Sequence, residues 1–380
     1  MSNIIKYKKM IDKMKKISLI ILIISGVFSS CKNGDWEFPG YDYSTVYFAY
    51  QTPVRTITLG NDYVNDNAFD NEHKCQIMAT VGGFREIKND IEISFKVDNS
   101  LCDVLDNVTA MPANYYSLSD NSKMIIQKGS KMIGGVVVSL TDAFFADPLA
   151  ISANYAIPLV MTDVKNADRI LTGTVTEGVN NPNRLKSEDW EVIPKDYILY
   201  AVKYINPWDV IYLRRGTDNI TEDGASRTEK RQGAYSPEED ELIRLNTISM
   251  TGIEFPANNI RFNNVNLNMA FKLDFDPGTQ KCTFANGVWK NSQLVNEYTD
   301  GNNFRVFDIV VSGNGEYRKD GEKNSWGSKD RDALYLNYQV EYQIEFPVGS
   351  PSKKVKYETT DILVFRDRGV TLETFTPVLK

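Results

Sequence analysis

The chain is short of the residues on which most enzyme sites are built. Among 380 residues it has one histidine, His73, and four cysteines. One His cannot form a multi-histidine metal site, and a Ser-His-Asp or Cys-His arrangement would have to use that single residue. His73 stands in the polar stretch Asp70-Asn71-Glu72-His73-Lys74 and reads as a solvated loop residue. No Cys-x-x-Cys, His-Glu-x-x-His, Gly-x-Ser-x-Gly, Walker loop or dinucleotide fingerprint occurs. Neither a metal nor a cofactor is expected. Basic residues are in deficit too: 43 Lys plus Arg face 50 Asp plus Glu, for a net charge of −7. That balance argues against nucleic acid as a partner, since its binders need a basic face.

Long apolar runs are also missing, with one exception near the start. Lys6, Lys8, Lys9, Lys13, Lys15 and Lys16 precede a twelve-residue apolar run, 17–28, which is too short to span a bilayer comfortably. Ser29 and Ser30 then lead directly into Cys31. This order resembles a bacterial lipobox, with Phe28 where Leu is usual, and implies a signal peptide over 1–30 and a lipid on Cys31. Removing residues 1–30 takes away six Lys and one Asp and leaves 37 basic and 49 acidic residues, a net charge near −12. Such a body is soluble and is held to its membrane by the lipid alone. Of the other cysteines, Cys75 and Cys102 are near enough in sequence to pair, whereas Cys282 is distant; buried free thiols are the alternative.

What the chain does have is strand sequence and aromatic residues: 20 Tyr, 18 Phe and five Trp. After a tether at 31–43, short β-rich runs at 45–51, 54–59, 74–81, 91–97, 124–127, 133–140 and 155–161 are separated by Asn, Asp, Gly and Pro. This spacing predicts an immunoglobulin-like β-sandwich over 44–171, with a helical turn at 141–146. A polar, turn-rich linker follows at 172–187. Residues 188–380 then carry longer strands at 197–205, 260–275, 304–312, 334–346 and 356–365. In the run 334–346, Leu334, Leu336, Tyr338, Val340, Tyr342, Ile344 and Phe346 alternate with polar residues or Tyr, the mark of one strand with one wet face. Ser312-Gly313-Asn314-Gly315 reads as a turn closing the strand before it. Ser236-Pro237-Glu238-Glu239 reads as a single helical turn. The fold class is therefore all-β: a sandwich followed by a larger antiparallel, lipocalin-like barrel, because closure removes exposed edges.

Catalytic signals are weak. A glycosidase needs only two carboxylates, but the densest cluster, Glu238-Glu239-Asp240-Glu241, reads as a solvated face. Asp274-Phe275-Asp276-Pro277-Gly278 lacks the ligand spacing of a calcium loop and reads as a hairpin turn. An enzyme is not expected. The aromatics offer more, because a flat ring covers the apolar face of a sugar while polar neighbours bond its hydroxyls. Trp289 and Trp326 stand in amide- and Gly-rich segments and are the main carbohydrate-binding candidates; Trp208, with Tyr212 four residues on, is the next. Each has a packing role as its alternative. Trp36 and Trp190 read as packing residues.

The stretch Asp35-Trp36-Glu37-Phe38-Pro39, with Asn71-Glu72-His73-Lys74-Cys75 and Leu140-Thr141-Asp142-Ala143-Phe144-Phe145-Ala146, resembles the N-terminal part of a Bacteroidetes lipoprotein family found in polysaccharide-utilisation loci. Val202–Asn206, Tyr212–Gly216, Trp326–Asp332 and Leu363–Val370 are similar to that family's C-terminal domain. The resemblance implies an outer-membrane lipoprotein, facing outward beside a TonB-dependent glycan importer and holding a polysaccharide or oligosaccharide without cleaving it. The Asp-x-x-Asp-x-Asp-x-Glu motif of chitinase-like enzymes is absent. The alternative is a structural or adhesive lipoprotein of the fimbrial type, assembled by strand exchange. Within the C-terminal segment, Arg366-Asp367-Arg368-Gly369 reads either as a buried ionic network or as a turn.

Overall fold

A computed structural model describes residues 42–380. The signal segment 1–30, Cys31, Trp36 and all but the end of the tether lie outside the described residues. The chain is all-β, and Tyr43–Lys380 forms one unit.

The first sheet takes the short strands that the sequence predicts, among them Lys74–Gly82, Ile91–Val97, Ile133–Leu140 and Tyr155–Lys165. Each carries apolar residues at period two or, at the centre of the sheet, continuously. The sheet folds over at its middle, where Ile125 pairs with Gly135. Residues of both limbs then meet in one core, with Val46, Ile77 and Val136 against Ile93, Ile157 and Val202. The helical turn at Asp142–Ala146 adds Phe144 and Phe145 to that core. His73 is half-buried rather than solvated: its φ of 58° turns the chain into Lys74–Gly82, and its ring packs 4.2 Å from Phe145.

One strand expected in the second half belongs here instead. Tyr197–Ile205 runs antiparallel to Tyr155–Lys165 and parallel to Pro53–Thr58. Its sequence, Tyr-Ile-Leu-Tyr-Ala-Val-Lys-Tyr-Ile, is apolar at nearly every position and so needs cover on both faces. The sandwich supplies it: Ile198, Tyr200, Val202 and Tyr204 enter the main core, while Tyr197, Leu199 and Ala201 pack with Leu101, Cys102 and Val160 on the other side. The C-terminal end returns to this sheet as Glu373–Thr374, paired with Pro53–Val54. The two ends of the sheet are thus two-residue strands, Arg169–Ile170 and Glu373–Thr374.

The second sheet is a barrel. Going round it, Ile211–Glu222 pairs with Lys353–Asp367, then Arg331–Glu345, Phe304–Glu322, Lys281–Phe284, Ala270–Asp276 and Gly252–Pro256, all antiparallel. Gly252–Pro256 pairs with Asn246–Thr247, and one residue before that, Glu241–Arg244 pairs back onto Ile211–Arg214. The path therefore returns to its first strand through residues 241–247, while Ala225–Arg231, paired only with Ile211–Glu222, is left as an open edge. The barrel interior is filled by the alternating inward set, including Leu334, Leu336, Val340, Tyr342, Phe255, Phe271 and Trp208.

Two local expectations change. Ser312–Gly315 is not a turn: Phe304–Glu322 runs straight through it for nineteen residues. A Cβ at Gly313 would fall 2.5 Å from Tyr338, and one at Gly315 2.5 Å from Leu336, so here glycine serves close strand approach. Conversely, the strand expected at 260–275 is broken, because Asn263 and Asn264 adopt φ of 47° and 63° in a tight turn between Arg261–Phe262 and Val265–Asn266.

Arg368 joins the two sheets. It is 1% exposed and donates from Nε to Asn61 O (2.9 Å), from Nη2 to Leu59 O (2.8 Å), and from Nη1 to Asn206 O (3.2 Å) and Asp209 O (3.0 Å). The Arg366–Gly369 segment is thus neither an ion network nor a bare turn at Arg368, but a guanidinium bonded to four carbonyls.

Cys75, Cys102 and Cys282 are free and buried, and Cys75 and Cys102 lie in different clusters. Burial pushes the thiols of Cys75 and Cys282 up to about 12 and that of Cys102 to about 11; it does the same to the phenols of Tyr197 and Tyr204, up to about 12. The folded state keeps these groups protonated while the unfolded chain ionises from about pH 9 upward. Their contribution is therefore whole below that pH and is lost as pH rises through 9 towards 12. The urea midpoint should fall between pH 7 and about pH 10; an unchanged midpoint would contradict these burials.

Candidate functional site

The long barrel strands Phe304–Glu322 and Arg331–Glu345 are joined by a loop that folds back on itself. Ser325 N donates to Lys329 O (2.8 Å), Asn324 N donates to Asp330 Oδ1 (3.0 Å), and Gly327 takes φ 68°. Arg331 Nε then donates to Trp326 O (3.1 Å), which fixes Trp326 above the start of the second strand. The Asn61–Asn65 segment, which leaves the sandwich strand Pro53–Thr58, meets this loop. Asp62 Oδ1 accepts from Val64 N and Asn65 N, a turn that presents Tyr63.

Between them lies a cleft of about 340 Å³, lined by Asp62, Tyr63, Asn65, Trp326, Arg331 and Arg366 among others. A buried polar network behind the cleft holds Tyr63 in place. The buried Asp332 carboxylate accepts from Tyr63 OH and Tyr317 OH (both 2.9 Å), and from Asp320 N (2.9 Å). Burial, and then the Asp332 carboxylate, push the Tyr63 phenol up to about 12, so it stays a donor at any physiological pH. The Arg331 guanidinium lies 4.6 Å from the Tyr63 ring centre and 5.8 Å from that of Trp326, and Arg366 lies 5.9 Å from Trp326 on its own account. Arg331 is 7% exposed, yet it pairs with no carboxylate among the described residues. The indole Nε1 of Trp326 is buried and donates to nothing in the protein. The rings of Tyr63 and Trp326 and a guanidinium without a carboxylate partner thus line one concave surface.

The four sequence candidates scatter. Trp326, half-buried, lines this cleft. Trp289 is half-buried on a separate hairpin, opposite Leu294, and lines none of it. Trp208 and Tyr212 are corrections: both are fully buried in the barrel core and offer no ring face to a ligand. Trp208 stacks on Phe275 at 4.1 Å, and Tyr212 OH donates to Trp208 O (3.2 Å). The Asn-Pro-Trp-Asp context marks a chain turning into the barrel interior, not onto its surface. The acidic cluster is likewise not a plain solvated face, since Asp240 is buried, lies 2.8 Å from Arg215 Nε and accepts from Gly233 N.

Sequence reasoning missed Tyr63 and Arg331. Nothing in the sequence brings residue 63 to residue 331. Asp332, which accepts from Tyr63, could have been flagged, because it places a charge in the even register that this strand buries. Among the described residues, no three His, Cys, Asp or Glu side chains gather as metal ligands.

Comparison with known proteins places the chain. Residues 207–369 match the family model of a domain of unknown function (DUF5627), and residues 41–168 match an N-terminal-domain model. A protein of unknown function from Bacteroides ovatus, known from its crystal structure, is 38% identical, with a TM-score of 0.73 over 90% of this chain and 100% of that one. The chain belongs to the family of that Bacteroides protein. Two further structures are more distant. A multidomain protein including DUF1735 from Bacteroides ovatus is 13% identical (TM-score 0.36; 86% of this chain, 97% of that one). An auxiliary nutrient binding protein from Bacteroides thetaiotaomicron is 14% identical (TM-score 0.35; 82% and 90%). At those scores neither likeness carries an inference. No curated protein matches the sequence.

The two tryptophans can be told apart by stability. Trp208→Ala should cost about 3–5 kcal/mol, as for a large core side chain, and Trp326→Ala about 1 kcal/mol for a half-buried ring. Urea titrations of both variants check this; equal losses would place Trp326 in the core as well.

Proposed function

We propose that this protein is a non-catalytic glycan-binding lipoprotein, anchored through Cys31 to the outer membrane and facing outward, where it captures polysaccharide for uptake. The observation that carries the reading is the Trp326–Tyr63–Arg331 cleft. The aromatic rings suit the C–H face of a pyranose, and the guanidinium groups of Arg331 and Arg366, with Asn65 and Asp62, suit its hydroxyls. A polar, mixed site of this size binds weakly by itself, and many copies on one surface would gain from avidity. The lipobox-like order of residues 6–31 and the family's occurrence in Bacteroides support the location, and a TonB-dependent importer is the natural partner for a captured glycan. Against the fimbrial alternative, which needs an open edge for strand exchange, the sandwich ends in two-residue strands, and the open barrel-edge strand Ala225–Arg231 is charged, with Arg227, Glu229, Lys230 and Arg231, a pattern that discourages pairing with another chain.

A glycan array with residues 32–380, which contain the whole described unit, tests the reading. Binding to one polysaccharide class, reduced at least tenfold in Trp326→Ala and unchanged in Trp289→Ala, is the expected result. No binding to any glycan by the folded protein would refute it. Binding that survives Trp326→Ala would remove this cleft as its site.

A further inference from the structure

The barrel has a second polar region, unrelated to the Trp326 cleft. The inward positions of its strands are apolar almost throughout, but those of Ile211–Glu222 include Arg214 and Asp218, those of Lys353–Asp367 include Thr359 and Asp361, and Tyr338 comes from Arg331–Glu345. Gly216 lies between the first two, where any Cβ would fall onto the Asp361 carboxylate. The glycine therefore makes room for charge inside the wall.

These groups neutralise one another. Arg214 is fully buried and donates from Nε (3.1 Å) and Nη2 (2.7 Å) to Asp361 Oδ2, and from Nη2 also to Asn259 Oδ1 (2.8 Å) and Tyr338 OH (3.0 Å). Arg231 donates to Asp218 Oδ2 (2.7 Å) and Asp361 Oδ1 (2.6 Å). Asp218 also accepts from Thr359 Oγ1 (2.7 Å) and Asn259 Nδ2 (2.9 Å). One donor on each arginine is left over. The Nη1 atoms of Arg214 and Arg231 are buried and donate to nothing in the protein, and the nearest ion-pair partner of Arg214 Nη1, Glu241 Oε2, is 3.7 Å away, beyond hydrogen-bond reach. A buried donor without a partner costs about 1–3 kcal/mol.

Both arginines line a cleft of about 400 Å³ at the point where Ile211–Glu222 changes partners, from Glu241–Arg244 to Ala225–Arg231. Its wall holds Arg214, Arg231 and Arg261 against Asp218, Glu229, Glu239 and Glu241. A free anion would meet the glutamates and a free cation the arginines. A hydroxyl is suited to both, since it accepts from a guanidinium N–H and donates to a carboxylate at once. A hydroxyl oxygen set to one side of the pair Arg214 Nη1 and Glu241 Oε2, which lie 3.7 Å apart, would be within hydrogen-bond distance of both. The volume is at the small end of ligand pockets, with space for about one or two sugar rings.

We infer that this cleft is a second binding site, specific for a neutral polyhydroxylated ligand of monosaccharide or disaccharide size. The inference stands apart from the Trp326 reading and does not rest on it.

Saturation-transfer NMR of residues 32–380 with glucose, galactose, mannose, xylose and their disaccharides, each at millimolar concentration and with galacturonate alongside, tests it. At least one neutral sugar should bind. Glu241→Gln, an isosteric change at a side chain one-third exposed, should weaken that binding about tenfold, the loss of one charge-assisted hydrogen bond. Glu239→Gln should weaken it too, and Trp326→Ala should leave it unchanged. Three results would overturn the inference: no neutral sugar binds, galacturonate binds more tightly than every neutral sugar, or neither glutamate variant alters binding in a protein with native chemical-shift dispersion.

Discussion

The guanidinium of Arg368 is the constraint on which the arrangement of the two sheets depends. It follows the last barrel strand, yet two of its acceptors, Leu59 O and Asn61 O, follow a sandwich strand. The other two, Asn206 O and Asp209 O, lie in the short passage from the sandwich to the barrel. Carbonyls at strand ends have lost their ladder partners and are costly to bury unpaired. A charged, planar donor with N–H groups in several directions meets four of them at once. Burial holds its pKa below the usual arginine range, but an arginine keeps its charge in a protein. Asp209 strengthens the same corner by accepting from Thr247 N (2.8 Å), Thr247 Oγ1 (2.9 Å) and Arg244 (3.0 Å).

The Trp326 cleft is a consequence of that junction. Tyr63 comes from the segment just after Asn61, whose carbonyl Arg368 holds, and Arg366 is two residues before Arg368. Asp332 completes the fit from the barrel side by accepting from both Tyr63 OH and Asn61 Nδ2 (3.3 Å). A wall is therefore contributed by each sheet, and the cleft's shape is set by bonds that a ligand does not have to form. Such preorganisation favours a binding surface over a flexible one.

Much of the fold was legible because period-two patterning reports a face, and a face is what a strand must bury. The strands Ile91–Val97, Ile133–Leu140 and Tyr197–Ile205 end where the sequence places them. Patterning does not report partners. Tyr197–Ile205 was assigned to the barrel by its position after a polar linker, although its unbroken apolar sequence fitted only a strand covered on both sides. Gly313 and Gly315 read as a turn because glycine serves tight turns and close strand approach equally well, and only the facing Tyr338 and Leu336 decide between them. In the site, one of four aromatic candidates reached the cleft. Polar neighbours in sequence suggested exposure for Trp326, but no local signal separated Trp208, whose chain dives inward after Pro207. The charged residues at inward positions, Arg214, Asp218 and Asp361, were the better signal, since a charge in the buried register needs a reason.

The central claim is that Arg368 binds the sandwich and the barrel into one cooperative body. Scanning calorimetry of residues 32–380 and of Arg368→Met, which keeps much of the bulk but none of the donors, tests it most directly. The account predicts one transition for the parent protein. In the variant it predicts a loss of about 3–5 kcal/mol, as for a buried charge-assisted network left with unmet acceptors, with the transition separating into two. A variant that unfolds in one transition within about 1 kcal/mol of the parent, the scatter of an ordinary substitution, would contradict it.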